Sequence, residues 1–91
     1  MDNAKTLSEM TVLERRELID FVASALEGTA QEAEEKGDRL SASNSHNLAI
    51  AMRGNATELA TRDLASAELL LQQGMSLVAA TLSRAERAQL H

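Results

Sequence analysis

Apolar residues recur every seven positions along most of this chain, and this spacing restricts the possible folds more than any other feature. In the first half the large members are Val12, Ile19, Leu26 and Leu40, with Ala33 in the same series, beside the small residues Ala23, Ala30 and Gly37. In the second half they are Ile50, Leu64, Leu71 and Val78, with Thr57 in one place, beside Ala60, Ala67 and Gly74. Paired bulky and small rows favour two antiparallel helices packed unusually close together.

The composition supports helices and opposes strands. The chain has no Pro, and it is rich in Ala, Leu, Glu, Gln, Arg and Met, which are strong helix formers. No Asn-Gly or Asp-Gly pair signals a β-hairpin turn. The length of 91 residues fits one small domain. We therefore predict a single all-α domain over residues 1–91, built as an antiparallel helical hairpin.

Helix 1 is predicted over residues 11–40, with alternatives at both ends. Two capping-box patterns, each a Thr followed three residues later by a Glu, occur at Thr6 with Glu9 and at Thr11 with Glu14. The helix can begin at either, or residues 1–10 can be a lead with a short first turn before a recapped helix. It can end near Lys36, with Gly37 as a left-handed cap, or continue to Leu40.

The turn is predicted at residues 41–45, where small polar residues cluster. A reflection of the chain about Ser45 pairs the two apolar series, for example Leu26 with Leu64, and supports this position. Helix 2 is then predicted over 46–82, with Gly74 either breaking it or only weakening it. Ser83 and Glu86 form another capping-box pattern, so residues 83–91 are either a short third helix or a frayed tail.

Helix 2 carries a second apolar stripe on the neighbouring face. With this stripe, the apolar arc of helix 2 is wider than one partner helix can cover. The simplest solution is a homodimer that completes a four-helix bundle. The other solutions are a C-terminal segment that folds back and a different protein as partner. The candidate oligomer interface comprises Leu18, Val22, Met52, Leu59, Leu70 and Leu77.

The sequence offers no recognisable catalytic, metal or cofactor site. It lacks Cys, which removes thiolate nucleophiles, disulfides and Cys-based zinc sites. His46 lies among serines in the predicted turn, but no acid or oxyanion-donor pattern accompanies it. The four glycines occur singly and form no phosphate loop. We predict a non-enzymatic protein without catalytic residues, metal ligands or cofactors.

The charge distribution and the polar N-terminus exclude other classes. Residues 1–45 carry the entire formal net charge of -5, and an acidic chain with one aromatic residue is poorly suited to nucleic acid. No apolar run approaches the roughly 20 residues that a membrane span requires. No apolar region follows the first residues as in a secretory signal, so a cytoplasmic location is expected.

One face of helix 1 is acidic and follows spacings of three and four residues. No Lys or Arg occurs between Glu17 and Glu35, so these acids have no basic partner within that segment. The face is either a solvated surface or a docking surface for a basic partner. Phe21, the only aromatic residue, lies beside it and is either a core-edge residue or an interface anchor. The candidate partner-binding residues are Glu17, Asp20, Phe21, Glu27, Glu34 and Asp38.

These features predict a small acidic protein–protein interaction module. An adaptor, a chaperone or an inhibitor, including one encoded by a phage or a mobile element, has such a composition. The alternative is a structural homo-oligomeric assembly subunit whose only partner is itself.

Overall fold

The computed structural model describes residues 6–89, with side chains for residues 6–83, and every regular element in that range is helical. The all-α prediction is confirmed. A short 3-10 helix, Leu7–Glu9, precedes four α-helices: α1 (Val12–Glu35), α2 (Arg39–Gly54), α3 (Ala56–Thr61) and α4 (Leu64–Gln89).

Both capping boxes at the N-terminal end are formed. The backbone N–H of Thr6 donates to Glu9 Oε1 at 2.9 Å; this bond, together with one from the Thr6 hydroxyl, holds the pKa of Glu9 below its usual value. Five residues later the Thr11 N–H donates to Glu14 Oε1 at 2.8 Å, and the Glu14 N–H donates to Thr11 Oγ1 at 3.1 Å. The chain therefore makes a short first turn and is recapped before α1 begins.

α1 ends at Glu35 because Gly37 adopts the left-handed conformation, with φ 81°. The Gly37 N–H donates to the Glu34 carbonyl at 3.0 Å, and the Asp38 N–H donates to the Ala33 carbonyl at 2.9 Å. This pair of bonds is a Schellman motif, which reverses the chain within a few residues. The prediction that helix 1 continues to residue 40 is corrected accordingly.

The predicted turn at 41–45 lies instead within α2. Asp38 caps that helix, since its carboxylate accepts a hydrogen bond from the Ser41 N–H at 3.2 Å. Two of the small residues that suggested a turn, Ala42 and Ser45, face inward and are buried, as is Ala49 one turn later, whereas Ser43 and Asn44 are exposed. Small side chains on this face allow α2 to pack closely against α1, with the reversal at 36–38 and not at Ser45.

The predicted long helix over 46–82 is divided into three. α2 ends at Gly54, where the Asn55 side-chain amide donates to the Ala51 carbonyl at 2.9 Å. α3 contains six residues, and Asp63 then begins α4 by accepting a hydrogen bond from the Ser66 N–H at 3.1 Å. Neither Gly74 nor the Ser83 cap signal interrupts α4, whose backbone is helical to Gln89.

Buried residues from the 3-10 helix and from all four α-helices form one hydrophobic core in the described part of the chain. Ile19, Leu26 and Met52 are completely buried, and each contributes about 1.5–3 kcal/mol of hydrophobic stabilisation. Three of the six residues proposed as an oligomer interface, Val22, Met52 and Leu59, lie in this core, and the other three, Leu18, Leu70 and Leu77, pack against it half-buried. Leu18, Leu70 and Leu77 keep part of their surface exposed.

Candidate functional site

Five polar side chains form a network across the outer surface of α1 and α2. The Arg53 guanidinium donates to Glu27 Oε2 at 3.3 Å and to Ser24 Oγ at 2.9 Å, and its Nε lies 3.8 Å from Asp20 Oδ1. His46 Nδ1 is 2.8 Å from Glu27 Oε1. The acidic face that lacks basic partners along α1 therefore obtains them from α2.

Three of the candidate partner-binding residues make contacts within the chain itself. Asp20 and Glu27 hold α1 against α2 through Arg53, and Asp38 caps α2. The sequence contained no signal for the Arg53 contacts, because they depend on where the chain reverses. Pairs as exposed as these contribute little stability, typically between 0 and about 1 kcal/mol.

Glu17 and Glu34 remain exposed on α1. Glu34 lines an open groove of about 850 Å³ between α1 and α2. Its polar lining also includes Glu27, Gln31, Glu35, Arg39, Ser43 and His46. The groove carries both signs of charge, so it does not select a ligand of one charge.

His46 makes a hydrogen bond at the protein surface. Glu27, its hydrogen-bond partner, also binds Arg53. Of the neighbouring serines, Ser43 accepts a hydrogen bond from the Asn47 amide at 3.4 Å, and Ser24 accepts one from Arg53. Among the residues that the structure describes, no three His, Asp or Glu side chains converge in a way that would hold a metal ion.

A second groove, between α1 and α4, is almost entirely apolar. It has a volume of about 250 Å³. Its lining comprises Leu18, Phe21, Val22 and Ala25 from α1 and Met75, Val78, Ala79 and Leu82 from α4. Phe21 is 71% exposed, Met75 62% and Leu82 57%, so three large apolar side chains are gathered on one concave surface.

Gly74 explains why α1 and α4 approach so closely beside this groove. A Cβ atom at Gly74 would lie 2.9 Å from Val22 Cγ1 and 3.2 Å from Leu26 Cδ1. The small side chains of Ala25 and Ala79 leave space in the groove, and larger side chains project around them. We refer to the eight lining residues as the α1/α4 groove.

Phe21 is the one predicted partner-binding residue that the structure places in this groove. The four α4 residues were not predicted, although Met75, Val78, Ala79 and Leu82 follow the helical spacing of three and four residues. The heptad pattern predicts that Val78 lies on the face of helix 2 that packs against helix 1, if helix 2 is continuous over 46–82. The break at α3 changes that alignment.

Comparison of the chain with protein-family models, curated proteins and solved structures finds no match. No helix in the described range has both the length and the apolar character needed to cross a membrane. The functional interpretation therefore depends on the helical fold and its exposed surfaces.

Proposed function

We propose that this protein is a non-enzymatic protein–protein interaction module whose α1/α4 groove receives part of a partner protein. The observation that carries this proposal is the gathering of Phe21, Met75 and Leu82 on one apolar concave surface. Single exposed apolar residues are common on proteins, whereas a contiguous patch of them marks an interaction surface.

The composition of the groove is that of an interface centre. Aromatic residues and Met are enriched at protein interfaces, and charged residues are depleted at their centres. Phe21 supplies a rigid anchor, while the flexible Met75 side chain adapts to the shape of a partner. The groove between α2 and α4, by contrast, mixes the polar residues Asn44, Asn47, Gln72, Gln73 and Ser76 with the apolar residues Leu48, Ala51, Leu69 and Leu77.

The experiment compares two exposed apolar positions. Phe21→Ser removes the groove's anchor, and Leu40→Ser alters an equally exposed residue, 73% exposed, that does not line the groove. Affinity capture from the native host, followed by binding measurements with the purified partner, is expected to show a tenfold or greater loss for Phe21→Ser. Leu40→Ser should bind like the wild type. Equal binding by all three proteins would contradict the proposal.

Two residues of the oligomer interface predicted from the sequence, Leu18 and Val22, also line this groove, so a homodimer or a homo-oligomeric assembly is the competing occupant. Light scattering coupled to size-exclusion chromatography distinguishes them from a module that binds another protein. A dimer or larger assembly that Phe21→Ser dissociates would assign the groove to self-association. A monomer that binds its partner through Phe21 supports the interaction module.

A further inference from the structure

We propose that the occupant of the α1/α4 groove is an amphipathic α-helix with Lys or Arg residues beside its apolar face. This inference rests on the proposed function and specifies the partner's chemistry. It follows from the shape of the groove and from the charges on the two helices that form it.

The shape of the groove fits one helix. Its lining extends over Leu18–Ala25 on α1 and Met75–Leu82 on α4, about two helical turns or roughly 10 Å on each wall. A third helix laid between two packed helices inserts apolar side chains spaced i, i+3 or i+4, and i+7 into such a groove. Because the lining consists of side chains and offers no sheet edge, an extended strand would find no backbone hydrogen-bond partners there.

The charged residues from Glu17 to Glu35 on α1 and from Leu64 to Ser83 on α4 are all acidic. Two basic residues, Arg84 and Arg87, follow the last groove residue of α4, Leu82. Glu17 lies one turn before Phe21 on the same side of α1, and Glu68 lies two turns before Met75 on the same face of α4; both side chains are exposed. Glu17 therefore lies beside the α1 wall of the groove, and Glu68 lies roughly 10 Å along α4 beyond its Met75 end.

This charge distribution favours a basic partner over a second copy of the chain. Two copies joined through this face would bring like-charged walls together, and the whole chain carries a formal net charge of -5. A helix flanked by Lys or Arg places its apolar residues in the groove and its charges beside Glu17 and Glu68. Such complementarity accelerates association and makes binding depend on salt.

The test uses a display library of helical peptides with randomised faces. Selection is for binding to the wild-type protein, with counter-selection against Phe21→Ser and, separately, Met75→Ser. We expect the enriched peptides to combine an i, i+3 or i+4, i+7 apolar pattern with Lys or Arg at the flanking positions. Glu17→Lys should weaken the best peptide at least tenfold and reduce its salt dependence, whereas Glu58→Lys, an identical charge change on α3, should leave binding close to that of the wild type.

The outcomes separate this inference from the proposed function. Peptides that depend on Phe21 but lack enriched Lys or Arg would overturn the basic-helix inference and leave the interaction groove standing. Failure to enrich any Phe21-dependent peptide, together with partner capture that is insensitive to Phe21→Ser, would overturn both. A homodimer that Phe21→Ser dissociates would identify a second copy as the occupant and also overturn the inference.

Discussion

At the scale of single residues, two helical glycines have opposite roles. Gly74 is buried where α4 meets Val22 and Leu26, and a methyl group there would lie closer to Val22 than van der Waals contact allows. Gly28 lies on the exposed face of α1, with nothing within 4 Å of an added Cβ. One glycine permits close packing, and the other only increases the conformational freedom of the unfolded chain.

We predict that Gly74→Ala and Gly28→Ala change the free energy of unfolding in opposite directions. At Gly74 the overpacking cost of about 1–3 kcal/mol exceeds the gain in helix propensity of about 1 kcal/mol, so the variant is less stable. Gly28→Ala gains roughly 0.5–1 kcal/mol. Urea unfolding of both variants measures the two changes, and stabilisation by Gly74→Ala would show that the α1–α4 contact is looser than described.

At the scale of secondary-structure elements, Asp63 determines where α4 begins. Hydrogen bonds from the Ser66 hydroxyl and the Ser66 N–H to its carboxylate hold the pKa of Asp63 below its ordinary value of 3.8. A carboxyl group whose pKa is lower in the folded state stabilises the fold fully above its unfolded-state pKa. That contribution disappears as the pH falls through the lowered pKa.

Asp63→Asn is expected to reduce the difference in stability between about pH 6 and about pH 3. Asn remains a good N-cap residue but does not titrate, so the variant keeps the helix start and loses one source of acid sensitivity. Urea unfolding at the two pH values measures this difference. Glu68→Gln removes the same charge from α4 without changing a cap, and it serves as the control. A pH dependence in Asp63→Asn identical to that of the wild type would contradict the role assigned to Asp63.

At the scale of the whole molecule, Arg15 joins α1 to the 3-10 helix that precedes it and to α3, which is distant in sequence. Its Nε donates to the Leu7 carbonyl at 2.7 Å, and its Nη1 donates to the Ala60 carbonyl at 2.9 Å. The 3-10 helix, α1 and α3 are thereby held at one point. No local sequence pattern signals this role of Arg15, because its partners are backbone atoms 8 and 45 residues away.

Arg15→Met is expected to lower the free energy of unfolding by about 1.5–3 kcal/mol, the range for hydrogen bonds made by a charged group. Met preserves most of the aliphatic stem, so the change reports mainly on the lost hydrogen bonds. Arg16→Met, at the exposed neighbouring position, should change stability by less than about 0.5 kcal/mol. Thermal and urea unfolding of the two variants test this difference. Equal losses of stability would contradict the proposal that the Arg15 hydrogen bonds hold the 3-10 helix, α1 and α3 together.

The candidate site was only partly predictable for the same reason. Phe21 was identifiable from the sequence as an unusual apolar residue beside an acidic face. Its groove partners on α4 were not identifiable, because α4 reaches α1 only after the helix is interrupted at Asn55 and again at Asp63. Conversely, Asp20 and Glu27 looked unpaired along α1, but Arg53 from α2 binds both.

The sequence by itself determined the helical class, the capping boxes at Thr6 and Thr11, and the left-handed glycine considered at position 37. These features depend on residues within a few positions of one another, since helix hydrogen bonds and caps are local. Only the tertiary structure decided which reversal the chain uses, which seam residues are buried, and which side of α1 remains uncovered. Those properties depend on contacts between residues far apart in sequence, such as Glu27 with His46 and Val22 with Gly74. A seven-residue pattern satisfies several such registers equally well.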